Sequence, residues 1–94
     1  MVELPGYLQP DGDGWLLKAP CQRCHTWHAF HAERVMAGDR VTSQTVCPVV
    51  TDSVGRVMQP EVTVMRLVVQ AVRFNRKWER DGRVTKAYWA LVRG

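Results

Sequence analysis

Cys21-Gln-Arg-Cys24-His25-Thr-Trp-His28, answered further on by Val46-Cys47-Pro48, is the stretch on which the reading of this chain turns. A Cys-x2-Cys turn delivers two thiolates from one tight loop, and a remote strand end carrying another cysteine delivers a third from a different direction. That is how a tetrahedral metal site is supplied. The fourth donor is expected from the histidines. His28 is favoured, because the three residues after Cys24 let the chain leave the turn and aim an imidazole back. His25 abuts Cys24 and should point away, and His31 lies farther along; both remain alternatives. The expected ligands are therefore Cys21, Cys24, His28 and Cys47, and the expected ion is Zn2+. Three thiolates and one imidazole would leave such a site with a net negative charge.

A metal also answers a problem of size. A chain of 94 residues forms one domain that buries a modest fraction of its surface, so a metal that contributes folding free energy is a sensible addition. The hydrophobic share of 46% with four tryptophans points to a folded domain and not to disorder. Met1-Val-Glu-Leu-Pro-Gly-Tyr has neither a basic n-region nor an apolar h-region, so the cytoplasm is the expected compartment. The most apolar window, 62–72, is broken by Arg66 and Gln70 and is too short to cross a bilayer. In a reducing compartment an odd count of three cysteines argues for metal or thiol chemistry over a disulfide framework.

Around the cysteines the expected frame is a small antiparallel sheet over residues 15–48, giving an α+β fold of zinc-ribbon type. Residues 1–14, with Pro5, Gly6, Pro10, Gly12 and Gly14, read as an extended polar loop leading into it. Strands are expected at 15–19, 26–30 and 40–46, where Val and Thr accumulate. Residues 48–60 read as a linker, and the twice-occurring Arg-Val-Met is too short to be a repeat. Over 61–80, a 100° projection gathers Arg66, Gln70, Arg73, Arg76, Lys77 and Arg80 on one arc opposite Val64, Leu67, Val68, Ala71, Val72, Phe74 and Trp78, which predicts a basic amphipathic helix. The rival is a hairpin turning at Asp81-Gly82, a type I′ signal, which would pair Val72, Phe74 and Trp78 with Leu91, Trp89 and Thr85 on one face. Residues 84–92 follow as a strand, or as a short helix beginning near Thr85.

Charge is unevenly placed. Residues 1–60 hold five Lys/Arg against six Asp/Glu, whereas 61–94 hold eight against three, so the C-terminal third carries the positive excess behind the formal +4. Arg66, Arg73, Arg76, Lys77 and Arg80 are the candidate contacts to an anionic partner, nucleic acid first. Trp27, Trp78, Tyr88 and Trp89 offer rings for stacking on bases, although in a small domain such residues more often build the core.

The run Leu17-Lys-Ala-Pro-Cys21-Gln-Arg-Cys24-His-Thr-Trp-His28, with Val46-Cys47-Pro48, resembles the zinc-ribbon or zinc-finger-like knuckles of small proteins from actinobacterial phages and mobile elements. The resemblance covers about residues 15–48. It implies a structural zinc on Cys21, Cys24, His28 and Cys47, and it departs from a full ribbon where Val49 and Val50 stand in place of a second cysteine after Cys47. Cys21-Gln-Arg-Cys24-His25 also fits the haem-attachment pattern, which requires export, and a thioredoxin-like redox pair, which requires a βαβ frame this chain is too short to build. Neither His-Glu-x2-His, nor a phosphate-binding glycine loop, nor a nucleophile elbow occurs, and Glu33 is the only acid near the histidines. No catalytic residues are assigned and the chain is read as non-enzymatic. Three roles follow: a zinc-binding accessory protein that contacts nucleic acid; a phage-encoded module that docks on a host enzyme such as RNA polymerase or a nuclease; or a structural subunit assembling through Trp89 and Leu91.

Overall fold

The computed structural model describes residues 3–47, 50–51 and 54–93; the parts of the linker reading that rest on Pro48 and Asp52 lie outside them. In chain order the described elements are β1 (Glu3–Asp11), β2 (Gly14–Pro20), β3 (Trp27–Ala32), β4 (Arg40–Cys47), β5 (Val50–Thr51), β6 (Val57–Met58), β7 (Glu61–Val69), β8 (Glu79–Arg80), β9 (Arg83–Val84) and α1 (Lys86–Arg93). A single 3-10 turn, Arg76–Trp78, precedes β8. The result is a mostly β protein with a short C-terminal helix, built on a five-stranded sheet of order β3-β2-β1-β7-β4. The strands expected at 15–19, 26–30 and 40–46 are β2, β3 and β4, and the helical alternative for 84–92 is α1.

Residues 1–14 are not simply a loop: Glu3–Asp11 is a strand near the middle of the sheet. Its proline and glycine content misleads because β1 is only half paired on each side. It runs parallel to β7 over Glu3–Gly6 and antiparallel to β2 from Tyr7 to Asp11. Each half thus has an open edge on which a proline's missing donor costs no ladder bond. Gly12 opens the two-residue β1–β2 turn at φ 59°, the first central position where such turns need glycine. Gly6 has a packing reason: a Cβ there would lie 3.0 Å from Leu17 Cδ1.

The basic amphipathic helix expected over 61–80 does not form. Glu61–Val69 is a strand flanked by β1 and β4, and it alternates, with Met65, Leu67 and Val69 buried and Val62, Val64 and Arg66 exposed. Val62, Thr63, Val64, Val68 and Val69 are β-branched and suit a pleated surface. The helical arc was a coincidence of adding an exposed loop to a strand. Of the hairpin rival the turn is realised and the long pairing is not: Asp81 (φ 52°) and Gly82 (φ 80°) both sit in the left-handed region, as a type I′ turn requires, while Trp89 and Leu91 lie in α1 and pair with neither Phe74 nor Val72. The ladder there is only two pairs long, Glu79↔Val84 and Arg80↔Arg83.

Two apolar clusters occupy opposite faces of the sheet. Inside the curl, Leu17, Ala19, Ala32, Met65, Leu67 and Val69 are buried, with Leu4, Leu8, Phe30, Val35 and Val41 against them. On the outer face of β1–β3, Tyr7, Trp27 and Tyr88 form an aromatic cluster with Phe74, Trp78, Val84 and Trp89. The segment after β7 is bound down over that cluster: Gln70 and Phe74 donate backbone N–H groups to Gly6 and Leu8, and Trp27 Nε1 donates to the Trp78 carbonyl. Lys18 Nζ reaches Glu79 Oε2 at 2.7 Å and lies 5.0 Å from the Phe74 ring centroid. Trp27 and Tyr88 are thus core, closed to stacking on a ligand, while Trp78 and Trp89 are half-buried in the same cluster.

The sheet curls until its two edge strands nearly meet. Thr45 Oγ1 on β4 lies 3.4 Å from His28 Nδ1 on β3.

Candidate metal centre

The turn between β2 and β3 shapes the first half of the site. Cys21 N donates to the Thr26 carbonyl and His25 N to the Cys21 carbonyl, and His25 adopts φ 58° to let the chain double back. Cys21 and Cys24 therefore point the same way from one tight loop. His28 follows on β3. Cys47 arrives across the seam from the last position of β4. The ligand atoms of Cys21, Cys24, His28 and Cys47 all lie within 4.8 Å of one another.

Three separations set the scale. Cys21 Sγ and Cys47 Sγ are 3.5 Å apart, and His28 Nε2 is 3.3 Å from Cys24 Sγ and 3.7 Å from Cys47 Sγ. The three cysteines are free thiols, buried to 3%, 4% and 0% exposure in chain order. These are the edges of a small tetrahedron of soft and borderline donors, and the cluster is able to hold a metal ion.

The surroundings suit a cation bound by thiolates. His28 presents Nε2 to the sulfurs while Nδ1 faces Thr45 Oγ1, a hydroxyl that can accept from Nδ1–H in the tautomer whose Nε2 is free to ligate. Burial lowers the His28 pKa and favours the neutral ring. Burial pushes the Cys21 thiol up to about 11. Burial acts the same way on Cys47, but the Thr63 hydroxyl, Cys21 and the Arg23 guanidinium outweigh it and hold that thiol below its ordinary value.

Arg23, inside the Cys-x2-Cys turn, locks the two halves together. Its Nη2 donates to the Gln59 carbonyl at 2.7 Å and its Nε lies 3.3 Å from Glu61 Oε2; Glu61 is the ladder partner of Cys47. Arg23 Nη1 is buried and finds no hydrogen-bond partner among the described residues. A buried cationic group acting on the Cys47 sulfur is costly beside neutral thiols and favourable beside a centre with net negative charge. It fits three thiolates on one divalent ion.

The remaining site candidates fall elsewhere. His25 is exposed with its ring edge-on to Trp89, and His31 is exposed on β3. Arg66 lies on β7, Arg73 in the following loop, Arg76 and Lys77 on the 3-10 turn and Arg80 on β8, so they do not line one helix face. Sequence reasoning passed over Arg23, Thr45 and Thr63. Thr45 was legible, since it stands two residues from Cys47 and shares its strand face. Thr63 was not, because only the β4–β7 register sets it beside that sulfur. Among the described residues no helix is long and apolar enough to cross a membrane. No family model, curated protein or solved structure matches this chain.

Proposed function

We propose that this is a non-enzymatic, zinc-stapled accessory protein that contacts nucleic acid through the cations of its C-terminal third, a role suited to a small phage or mobile-element protein. Zinc is the preferred ion because of the donors. Bonds of about 2.3 Å to sulfur and 2.0–2.1 Å to nitrogen place tetrahedral donors about 3.5–3.8 Å apart, close to the Cys21–Cys47, Cys24–His28 and Cys47–His28 separations of 3.5, 3.3 and 3.7 Å. Four protein donors complete the coordination shell and leave no position for a reacting water, which is the structural rather than the catalytic form of such a site.

One observation carries the nucleic-acid reading. Among the described residues, none of Arg66, Arg73, Arg76, Lys77, Arg80, Arg83, Lys86 and Arg93 is in an ion pair, while Glu61 and Glu79 of the same segment are neutralised by Arg23 and Lys18 from the N-terminal half. The fold spends the segment's glutamates internally and leaves its cations to solvent. Arg80, Arg83 and Lys86 gather around the β8–β9 turn, with Arg76 and Lys77 exposed just before it. Phosphate neutralisation by such a group produces steep salt dependence.

The test is an electrophoretic shift with DNA and with RNA over a range of salt. The zinc-loaded protein should retard nucleic acid at low salt, and Arg76→Glu with Lys77→Glu should abolish the shift while zinc content stays the same. A protein that binds neither polymer at low salt would remove this reading. The exposed Val46, Val62 and Val64 on the outer face of β4 and β7, at 58%, 62% and 41% exposure, favour a second reading, a module that docks on a host protein such as RNA polymerase or a nuclease. Capture of one protein partner with no nucleic-acid affinity would select it.

A further inference from the structure

At the end of the sheet away from the cysteines, a cavity of about 460 Å3 opens between the β3–β4 connection and the loop after β7. Its apolar lining includes Leu8 and Val35, and its polar lining is Trp15, Arg34, Gln70 and Arg73. Two arginines border it and no acidic residue lines it. Neither arginine has an ion-pair partner among the described residues. Asp11 and Glu33 line a separate, smaller cleft with Trp15 and His31, so Trp15 divides a basic cavity from an acidic one.

The details suit a flat anion. The Arg73 guanidinium already lies over the Trp15 ring, 5.0 Å from its centroid, and Trp15 keeps 38% of its surface exposed. Arg34 holds a φ of 56°, a conformation that costs a non-glycine residue energy and persists where the surroundings impose it. Gln70 gives its amide N–H to the Val68 carbonyl at 2.9 Å, and its Oε1 is a further acceptor at the lining. The volume falls in the range of small-ligand sites. Paired guanidiniums recognise phosphate in bidentate fashion, and an arginine–indole stack accepts an aromatic base.

We propose that this cavity binds a nucleoside-phosphate unit, with Arg34 and Arg73 on the phosphate and the base packed against Trp15 and the apolar wall. The unit comes either as a free nucleotide or as an unpaired nucleotide of a strand. The cavity does not depend on the cations around the β8–β9 turn, and it stands or falls separately from their role.

The experiment is equilibrium titration of the zinc-loaded protein with adenosine monophosphate, adenosine, inorganic phosphate and a short single-stranded deoxyoligonucleotide. Adenosine monophosphate should bind with one-to-one stoichiometry, and adenosine and phosphate alone each about tenfold or more weaker. Arg34→Gln and Arg73→Gln should each weaken the nucleotide by about tenfold without changing zinc content or the urea midpoint. Arg76→Glu with Lys77→Glu should leave it unchanged. An oligonucleotide that binds more tightly than the nucleotide and is weakened by Arg73→Gln identifies the strand as the source; one that fails while the nucleotide binds identifies the free nucleotide. No binding of adenosine monophosphate at millimolar concentration, or binding indifferent to both arginine variants, overturns the proposal even if the polymer shift is seen.

Discussion

Gly6 and Tyr88 show how much single positions carry in a chain this short. A Cβ at residue 6 would meet Leu17 Cδ1, Cγ and Cδ2 at 3.0, 3.1 and 3.3 Å, and Leu17 is 1% exposed with nowhere to retreat. Gly6→Ala should therefore cost about 1–3 kcal/mol. Leu17→Ala is costly too, but the double variant G6A/L17A should be no less stable than L17A alone, because the clash is gone; additive losses in a denaturant double-mutant cycle would show that Gly6 is kept for its backbone instead. Tyr88 is 1% exposed and shares a 2.9 Å hydrogen bond with the Tyr7 hydroxyl. Burial, then Tyr7, raises its pKa far above the ordinary 10.0. The folded state keeps the proton that the unfolded chain releases, so this contribution is full below pH 10.0 and is lost as pH rises beyond it. Tyr88→Phe should cost about 1 kcal/mol at neutral pH and flatten the alkaline fall, read from urea midpoints against pH. The cysteine spacing made the ligand group legible at this scale, and the turn preference of Asp81-Gly82 did the same for the hairpin, since each is a property of a few adjacent residues. Gly6 gave no such signal, because its neighbour is Leu17 on another strand.

Among the elements, β3 and β4 are the edge strands of the five-stranded sheet; β3 is met on its outer side only at its start, where Trp27 N donates to the Gly82 carbonyl of the β8–β9 turn. Unpaired edges are weak points. The cluster sits across this seam, with Cys21, Cys24 and His28 from the β2–β3 side and Cys47 from β4, so a bound ion would act as a staple between strands that share no ladder. Removing the metal should loosen the seam before the centre. With chelator, amides near residues 21–28 and 43–47 should exchange about tenfold or more faster, while Met65 and Leu67 in β7 stay protected; Cys47→Ser should reproduce the pattern without chelator. Uniform loss of protection, or none, would contradict the staple. This arrangement differs from the ribbon expected from the sequence, in which local hairpins surround the ion. The strand identity of 61–69 was obscured because a valine-rich run can be projected onto a helix, and what decides the matter is a pair of neighbouring strands that occupy its backbone groups on both sides.

Across the whole molecule, charge and topology separate the candidate sites. The cysteine end is closed by side chains and by the Arg23 tether, the opposite end carries the Trp15–Arg73 cavity, and the cations around the β8–β9 turn project from the segment laid over the aromatic cluster. If that basic group binds nucleic acid, removing Arg76 and Lys77 as charges should lower the slope of log affinity against log salt by about 2, given roughly 0.9 per phosphate neutralised; an unchanged slope would assign the contacts to other cations. The sequence by itself determined the three cysteine donors with a histidine from the cluster behind them, strands β2 to β4 and the excess of positive charge in the last third, and it offered the turn at Asp81-Gly82 as the rival to a helix, because short spacings, alternation and composition are local quantities. Only the tertiary structure decided that β1 is a strand, that β7 lies between β1 and β4, and that the ligands bridge a seam, because the partners in those pairings lie far apart along the chain and the free energy that selects them exists only once the faces are buried together.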